Sequence, residues 1–206
     1  MEQFRDCAGL FHVYLILFMF LSGYEKLTLI DYPGKLATVV FTIGCNFRCP
    51  FCHNPELVDL RLTHGKTSED EFFEFLKKRK KILEGVCITG GEPAVQSDIL
   101  EFIAKIKALG FLVKLDSNGT RPDVLKKLID GKLVDYIAMD IKNSLEKYQD
   151  TIGITVDIER IKLSVELIMR SRIEYEFRTT AVPGIHTEKD FQNIAQWIKG
   201  ARKYYL

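Results

Sequence analysis

With 206 residues, 47% of them apolar, the chain is long enough for one domain with a single sizeable core. Its 29 Lys and Arg nearly cancel its 28 Asp and Glu; a formal charge of +1 excludes sequence-blind nucleic-acid binding through a basic excess and carries no acidic or disordered signature. Five cysteines, three of them at positions 45, 49 and 52, argue against a disulfide framework and for a metal or redox site in a reducing, cytoplasmic setting.

Residues 1–22 stand apart as a hydrophobic N-terminal extension, and residues 23–206 form the expected domain. Ala8–Leu21 reads AGLFHVYLILFMFL. As a helix it spans about 21 Å, short of the roughly 30 Å of a hydrocarbon core. Glu2 and Asp6 offset Arg5, so the basic flank of a secretory signal is missing. The stretch reads as non-native sequence ahead of a start at Met19, as an interfacial anchor, or as a buried helix; a membrane partner is not expected. Beyond Gly23, short apolar runs alternate with amphipathic charged ones. Leu36–Ile43 reads as a strand buried on both faces. Ser68–Glu71 reads as a capping box opening a helix, with Lys77–Lys81 at its basic end. That basic run suits a solvated last turn rather than a nucleic-acid patch. Val86–Thr89 is the next strand, and Ser97–Leu109 a helix stopped by Gly110. Strand Phe111–Leu115, helix Pro122–Ile129, strand Val134–Ile141, helix Asp157–Arg170, strand Tyr175–Val182 and helix Thr187–Lys199 follow. Tyr204–Leu206 begins a further strand. Five β–α units and the start of a sixth strand predict a parallel sheet whose ligand side is the carboxyl end of the strands.

Cys45, Cys49 and Cys52 follow the first of these strands with the spacing C-x3-C-x2-C. Three thiolates on one loop can wrap a four-iron cluster and leave one iron without a protein ligand. A zinc site would need a fourth ligand such as His53, and no second C-x2-C knuckle is present. An electron-transfer cluster would need a fourth Cys, and Cys87, inside Val86-Cys87-Ile88, reads as a small buried hydrophobe.

The cysteine loop, with the aromatic Phe51 before its third Cys, resembles the radical S-adenosylmethionine (SAM) enzymes. Thr89-Gly90-Gly91-Glu92-Pro93, Ser117-Asn118-Gly119-Thr120 and Met139-Asp140-Ile141-Lys142 match further motifs in the right order. Lys26–Lys35 and Cys52-His53-Asn54-Pro55 resemble the activating proteins of anaerobic ribonucleoside-triphosphate reductase, with the pyruvate formate-lyase activating enzyme a near relative. The resemblance covers residues 24–206. It implies a partial (β/α)6 barrel of the α/β class, a [4Fe–4S] cluster held by Cys45, Cys49 and Cys52, and reductive cleavage of SAM to methionine and a 5′-deoxyadenosyl radical. It also implies that part of the last strand and a short tail lie beyond Leu206.

The site residues expected on this basis are these. Gly90 and Gly91 let the backbone approach the methionyl amino group, and Glu92 steadies that group or its loop. Phe51 and His53 lie toward the adenine. Asn118 contacts ribose or methionine, although Asn-Gly is also an ordinary turn. Asp140 and Lys142 alternate onto one face of a strand end, suited to a ribose hydroxyl and a carboxylate, or to a surface ion pair. Arg178 reaches the methionyl carboxylate. Asp116, in place of the Asp of a related Asp-Thr-Asn-Gly segment, is a candidate for a monovalent-cation site. The function implied is formation of a glycyl radical on anaerobic ribonucleotide reductase, with flavodoxin or ferredoxin as electron donor. The alternatives are action on another glycyl-radical enzyme or a small molecule, and a non-catalytic iron–sulfur or zinc protein.

Overall fold

A computed structural model describes residues 21–59 and 67–206. Most of the hydrophobic extension therefore lies outside the described residues. The sheet has seven strands in sequential order, β1 to β7. They are β1 Leu21–Thr28, β2 Ala37–Thr42, β3 Gly85–Gly90, β4 Leu112–Ser117, β5 Tyr136–Asp140, β6 Glu174–Arg178 and β7 Tyr204–Tyr205. From β2 to β7 every pairing is parallel; β1 runs antiparallel to β2 at the edge. Helices α1 Glu69–Arg79, α2 Ile99–Ala108, α3 Pro122–Asp130, α4 Tyr148–Ile152, α5 Ile158–Arg170 and α6 Glu188–Trp197 fill the connections. This is the expected partial barrel with one added edge strand. Among the described residues no helix is long and apolar enough to cross a membrane.

Strand alternation gives the sheet two chemically different faces. Val86, Ile88, Val113, Leu115, Ile137, Met139, Tyr175 and Phe177 are buried in one apolar cluster with the helices. α2 contributes Ile99, Phe102, Ile103 and Ile106; α5 contributes Ile161, Val165 and Ile168. The opposite face carries Cys87 beside Lys114 and Lys114 beside Tyr136 in register, then Asp116 beside Ala138 and Asp140 beside Arg178. One apolar layer thus holds the helices on; the inner face carries a small apolar cluster of Tyr32, Ala37 and Tyr136 and, toward the strand ends, the polar groups.

Three expectations change. β1 was not anticipated, because its middle, Glu25 to Leu27, is exposed and gives no alternation. It begins at Leu21, which is buried and pairs with Thr42. β6 stops at Arg178 rather than Val182: Val182 O accepts from Ile185 N and His186 N, closing a turn around Pro183 and Gly184, the latter at φ +82°. Ser68 Oγ accepts from Glu71 N as a cap should, but the Glu71 side chain, which bears on the nearby Tyr24 hydroxyl, does not complete the box. The full capping box lies at Thr187 and Asp190.

Candidate radical SAM site

The cysteine loop leaves the carboxyl end of β2 and is tied down at several points. Gly44 N donates to Leu57 O at 2.7 Å, Cys45 N to Val58 O at 3.2 Å and Arg48 N to Ile152 O at 2.9 Å. The Arg48 guanidinium donates to the Cys45 and Phe47 carbonyls, each at 2.7 Å. α4, which sequence reading missed, thus props the loop through its last carbonyl, and Gly153 closes it at φ +71°. The three cysteines are unbridged and partly buried. Burial pushes the Cys45 thiol up to about 11 and raises Cys49. Bare thiols are therefore favoured there, and a metal is what would hold them as thiolates.

These sulfurs share one cleft with Phe51, His53, Gly90, Gly91, Glu92, Asp116, Asn118, Asp140, Lys142 and Arg178, so the site residues expected from the resemblance line the same cavity. Among the described residues no three His, Cys, Asp or Glu side chains converge on a single point. A four-iron cube takes its thiolates at separate irons, and three unbridged sulfurs on one anchored loop fit it.

Each strand end then adds its own part. After β3 the chain makes its closest backbone approach: a Cβ at Gly90 would lie 2.5 Å from Thr42 N and O, and one at Gly91 2.2 Å from Gly44 O. These glycines are thus dictated by the crossing of two protein loops as well as by access to a ligand. Glu92 is 1% exposed. Its carboxylate accepts from Ala94 N, Ser117 Oγ and Asn118 N at 3.0, 2.8 and 2.6 Å. Burial nevertheless pushes it up to about 7. It steadies its own loop and the next, rather than presenting a free oxygen to the cleft. Asn118 is similarly engaged. Its Nδ2 donates to Asn46 Oδ1, and its Oδ1 accepts from Thr120 N and Oγ1. It stitches the cysteine loop to the β4–α3 turn.

The charged residues form one network. Lys142 Nζ lies 2.9 Å from Asp140 Oδ2, and Arg178 Nε and Nη2 both reach Asp140 Oδ1 at 3.0 Å. Burial opposes the Asp140 carboxylate, yet Lys142 and Arg178 together bring it down to about 2. Arg178 Nη2 also reaches Asp116 Oδ2 at 3.3 Å, while Lys114 Nζ holds Asp116 Oδ1. Arg178 therefore departs from expectation: its guanidinium is engaged by the protein's own carboxylates. Asp116 departs too. Both its oxygens already face fixed cations, so the residues present do not fit a further monovalent cation.

Lys114 is the clearest omission of the sequence reading, although a Lys between Val113 and Leu115 in an apolar run was the signal. Cys87 is buried as expected, but beside Lys114 Nζ at 3.7 Å rather than in apolar surroundings. His186 was also missed. Its Nδ1 accepts from Val182 N at 3.1 Å, so Nε2 is the donor to Lys142 O at 2.8 Å. Its ring stacks on Phe191 and meets Phe51 edge-on.

A family model for the radical SAM superfamily matches residues 39–198. The chain belongs to the radical SAM superfamily. A Methanocaldococcus jannaschii protein described as a glycyl-radical enzyme activating enzyme is 38% identical over 192 residues, covering 90% of this chain and 78% of that one. The pyruvate formate-lyase-activating enzyme of Listeria monocytogenes is 36% identical over 127 residues, 57% of this chain and 51% of its own length. The solved structure of anSMEcpe with bound AdoMet superposes with a TM-score of 0.61 at 18% identity, over 79% of this chain and 48% of that one, a likeness of fold. As a radical SAM protein of the glycyl-radical activating kind, this chain is an enzyme whose cofactors are a [4Fe–4S] cluster and SAM.

Proposed function

We propose that this radical SAM enzyme generates a glycyl radical on anaerobic ribonucleoside-triphosphate reductase. When bound, the cluster and SAM supply one electron and a 5′-deoxyadenosyl radical, and the hard chemistry is theirs. What the chain does is hold and shield. Cys45, Cys49 and Cys52 are the cluster's ligands, kept in place by the bonds from Arg48 and α4. Gly90 and Gly91 bring backbone to the cleft, with Glu92 fixing the turn from beneath. Lys142, whose charge bears on the Cys45 and Cys49 thiols, suits the methionyl carboxylate, and Asp140 the ribose hydroxyls. Phe51 and His53 would flank the adenine.

The observation that carries the choice of a protein target is the cleft's cover. Its described walls are the strand ends and the loops that follow them, the cysteine loop after β2 being the longest of these. A partner's glycine-bearing loop would complete such a site and exclude water around the reacting carbon. The segments Lys26–Lys35 and Cys52–Pro55 favour the reductase among such partners. Similarity to pyruvate formate-lyase activators supports the second reading, a lyase-type partner. Reduced protein with SAM, mixed in turn with a reductase and a pyruvate formate-lyase, separates them by electron paramagnetic resonance. A glycyl doublet with the reductase is the expected result. A doublet with the lyase alone supports the second reading, and deoxyadenosine with a modified small metabolite and no protein radical contradicts both. A reduced flavodoxin or ferredoxin is the electron donor that this chemistry asks for.

A further inference from the structure

The inner face of the sheet carries a charge pattern that the cysteine loop does not explain. Asp116 and Asp140 end neighbouring parallel strands and both face the cleft. Two carboxylates so placed repel each other unless a cation lies between them. Here the chain supplies its own. Arg178 on β6 reaches across both, at 3.3 Å to Asp116 and 3.0 Å to Asp140. Lys114, 1% exposed, takes the other oxygen of Asp116, and Lys142 takes the other oxygen of Asp140. All four carboxylate oxygens thus meet a side-chain cation. A further carboxylate of the face, Glu176, lies 3.9 Å from Arg178 Nη1 and accepts from the Tyr136 hydroxyl at 2.6 Å, while Glu174 pairs with Arg202 and Lys203. Around Arg178, Asp116, Asp140 and Glu176 balance Lys114, Lys142 and Arg178, and a bound alkali ion would add a further positive charge to that cluster.

We propose that Arg178, seconded by Lys114, is a tethered cation standing where a free alkali ion would otherwise bridge Asp116 and Asp140, so that this chain binds SAM without sodium or potassium. The guanidinium suits the task. It is charged at every physiological pH, and its planar fork can serve two carboxylates at once. Fixed by three strands, it holds Asp140 in position for the ligand with no ion to recruit. Arg178 is on this account a positioning residue, and Lys142 is left as the cation that faces a ligand carboxylate.

The test uses the cluster-loaded protein at constant ionic strength, with potassium, sodium or tetramethylammonium chloride as the sole salt. The SAM dissociation constant of the wild type is expected to agree within about twofold across the three. Binding at least about tenfold tighter in either alkali salt than in tetramethylammonium overturns the proposal. Arg178→Gln uncovers the carboxylate pair and is expected to make SAM binding alkali-dependent. The melting temperature of the cluster-free variant should likewise rise in potassium over tetramethylammonium, beyond any change in the wild type. A variant indifferent to the salt in both readouts overturns the assignment to Arg178. If that variant does not fold, the wild-type series still decides. The inference rests on SAM entering this cleft, but melting does not, so failure of SAM binding and failure of the tethered cation are told apart.

Discussion

A Cβ at Gly91 would meet the Gly44 carbonyl oxygen at 2.2 Å, and one at Gly119 would meet Met139 Cε at 2.1 Å. The distances are alike and the consequences are not. Gly44 is backbone of the cysteine loop, whereas Met139 Cε is the end of a flexible side chain that can swing away. Gly91→Ala is expected to cost about 2–3 kcal/mol and to lose cluster loading, Gly119→Ala, strained by its φ of +77°, about 1–2 kcal/mol with loading retained. Denaturant melts and iron analysis of both variants check this. Glu92 carries a pH signature. Its folded pKa of about 7 exceeds the ordinary 4.5, because burial outweighs three hydrogen bonds to the carboxylate. The folded state then keeps a proton that the unfolded chain has released, so this contribution to stability is complete below pH 4.5 and lost as pH rises through 7. The unfolding midpoint of cluster-free protein should fall across that window. Glu92→Gln should flatten the slope and cost about 1–3 kcal/mol, since an amide cannot accept all three bonds. At this scale the sequence was most legible where chemistry demands close spacing, as at Cys45, Cys49 and Cys52. It was least legible at Lys114, Asn46 and His186, whose partners lie on other strands and loops.

Among the elements, those with strong local signals stand where sequence reading puts them. Pro122 opens α3, Asp157 caps α5 through Glu159 N, and Thr187 and Asp190 cap α6 reciprocally. β1 and α4 were invisible because one is a solvated edge and the other a single short turn closed by tertiary contact with Arg48. Asp190 joins two of these elements. It is 3% exposed, accepts from Thr187 N and Ser144 Oγ, and pairs with Lys147 at 2.7 Å, just ahead of α4. The Lys147 and Thr187 hydrogen bonds hold its carboxyl well below the ordinary 3.8, so its contribution is complete above that value and lost as pH falls toward the folded value. Asp190→Ala should remove about 1–3 kcal/mol at neutral pH and weaken the acid-side loss of stability. Chemical denaturation at pH 7 and below pH 4 checks both.

For the whole molecule, the alternation of short apolar runs and amphipathic segments was enough to predict a parallel sheet open to ligand at its strand ends, and the partial barrel follows it. The division of labour between the two faces was not legible. Apolar residues that lock onto helices show in a single strand as hydrophobicity, while the charged inner face needs three strands side by side before Lys114, Asp116, Asp140 and Arg178 become one network. That face and the cysteine loop together frame the cleft in which the cluster and SAM must meet. The most direct test is the electron paramagnetic resonance spectrum of the anaerobically reconstituted, reduced protein, recorded with and without SAM. A spectrum that changes on adding SAM, and a cluster lost in Cys45→Ala, Cys49→Ala and Cys52→Ala but kept in Cys87→Ala, is what a three-cysteine cluster with one open iron predicts. A cluster spectrum indifferent to SAM, or one that disappears with Cys87→Ala, would contradict it.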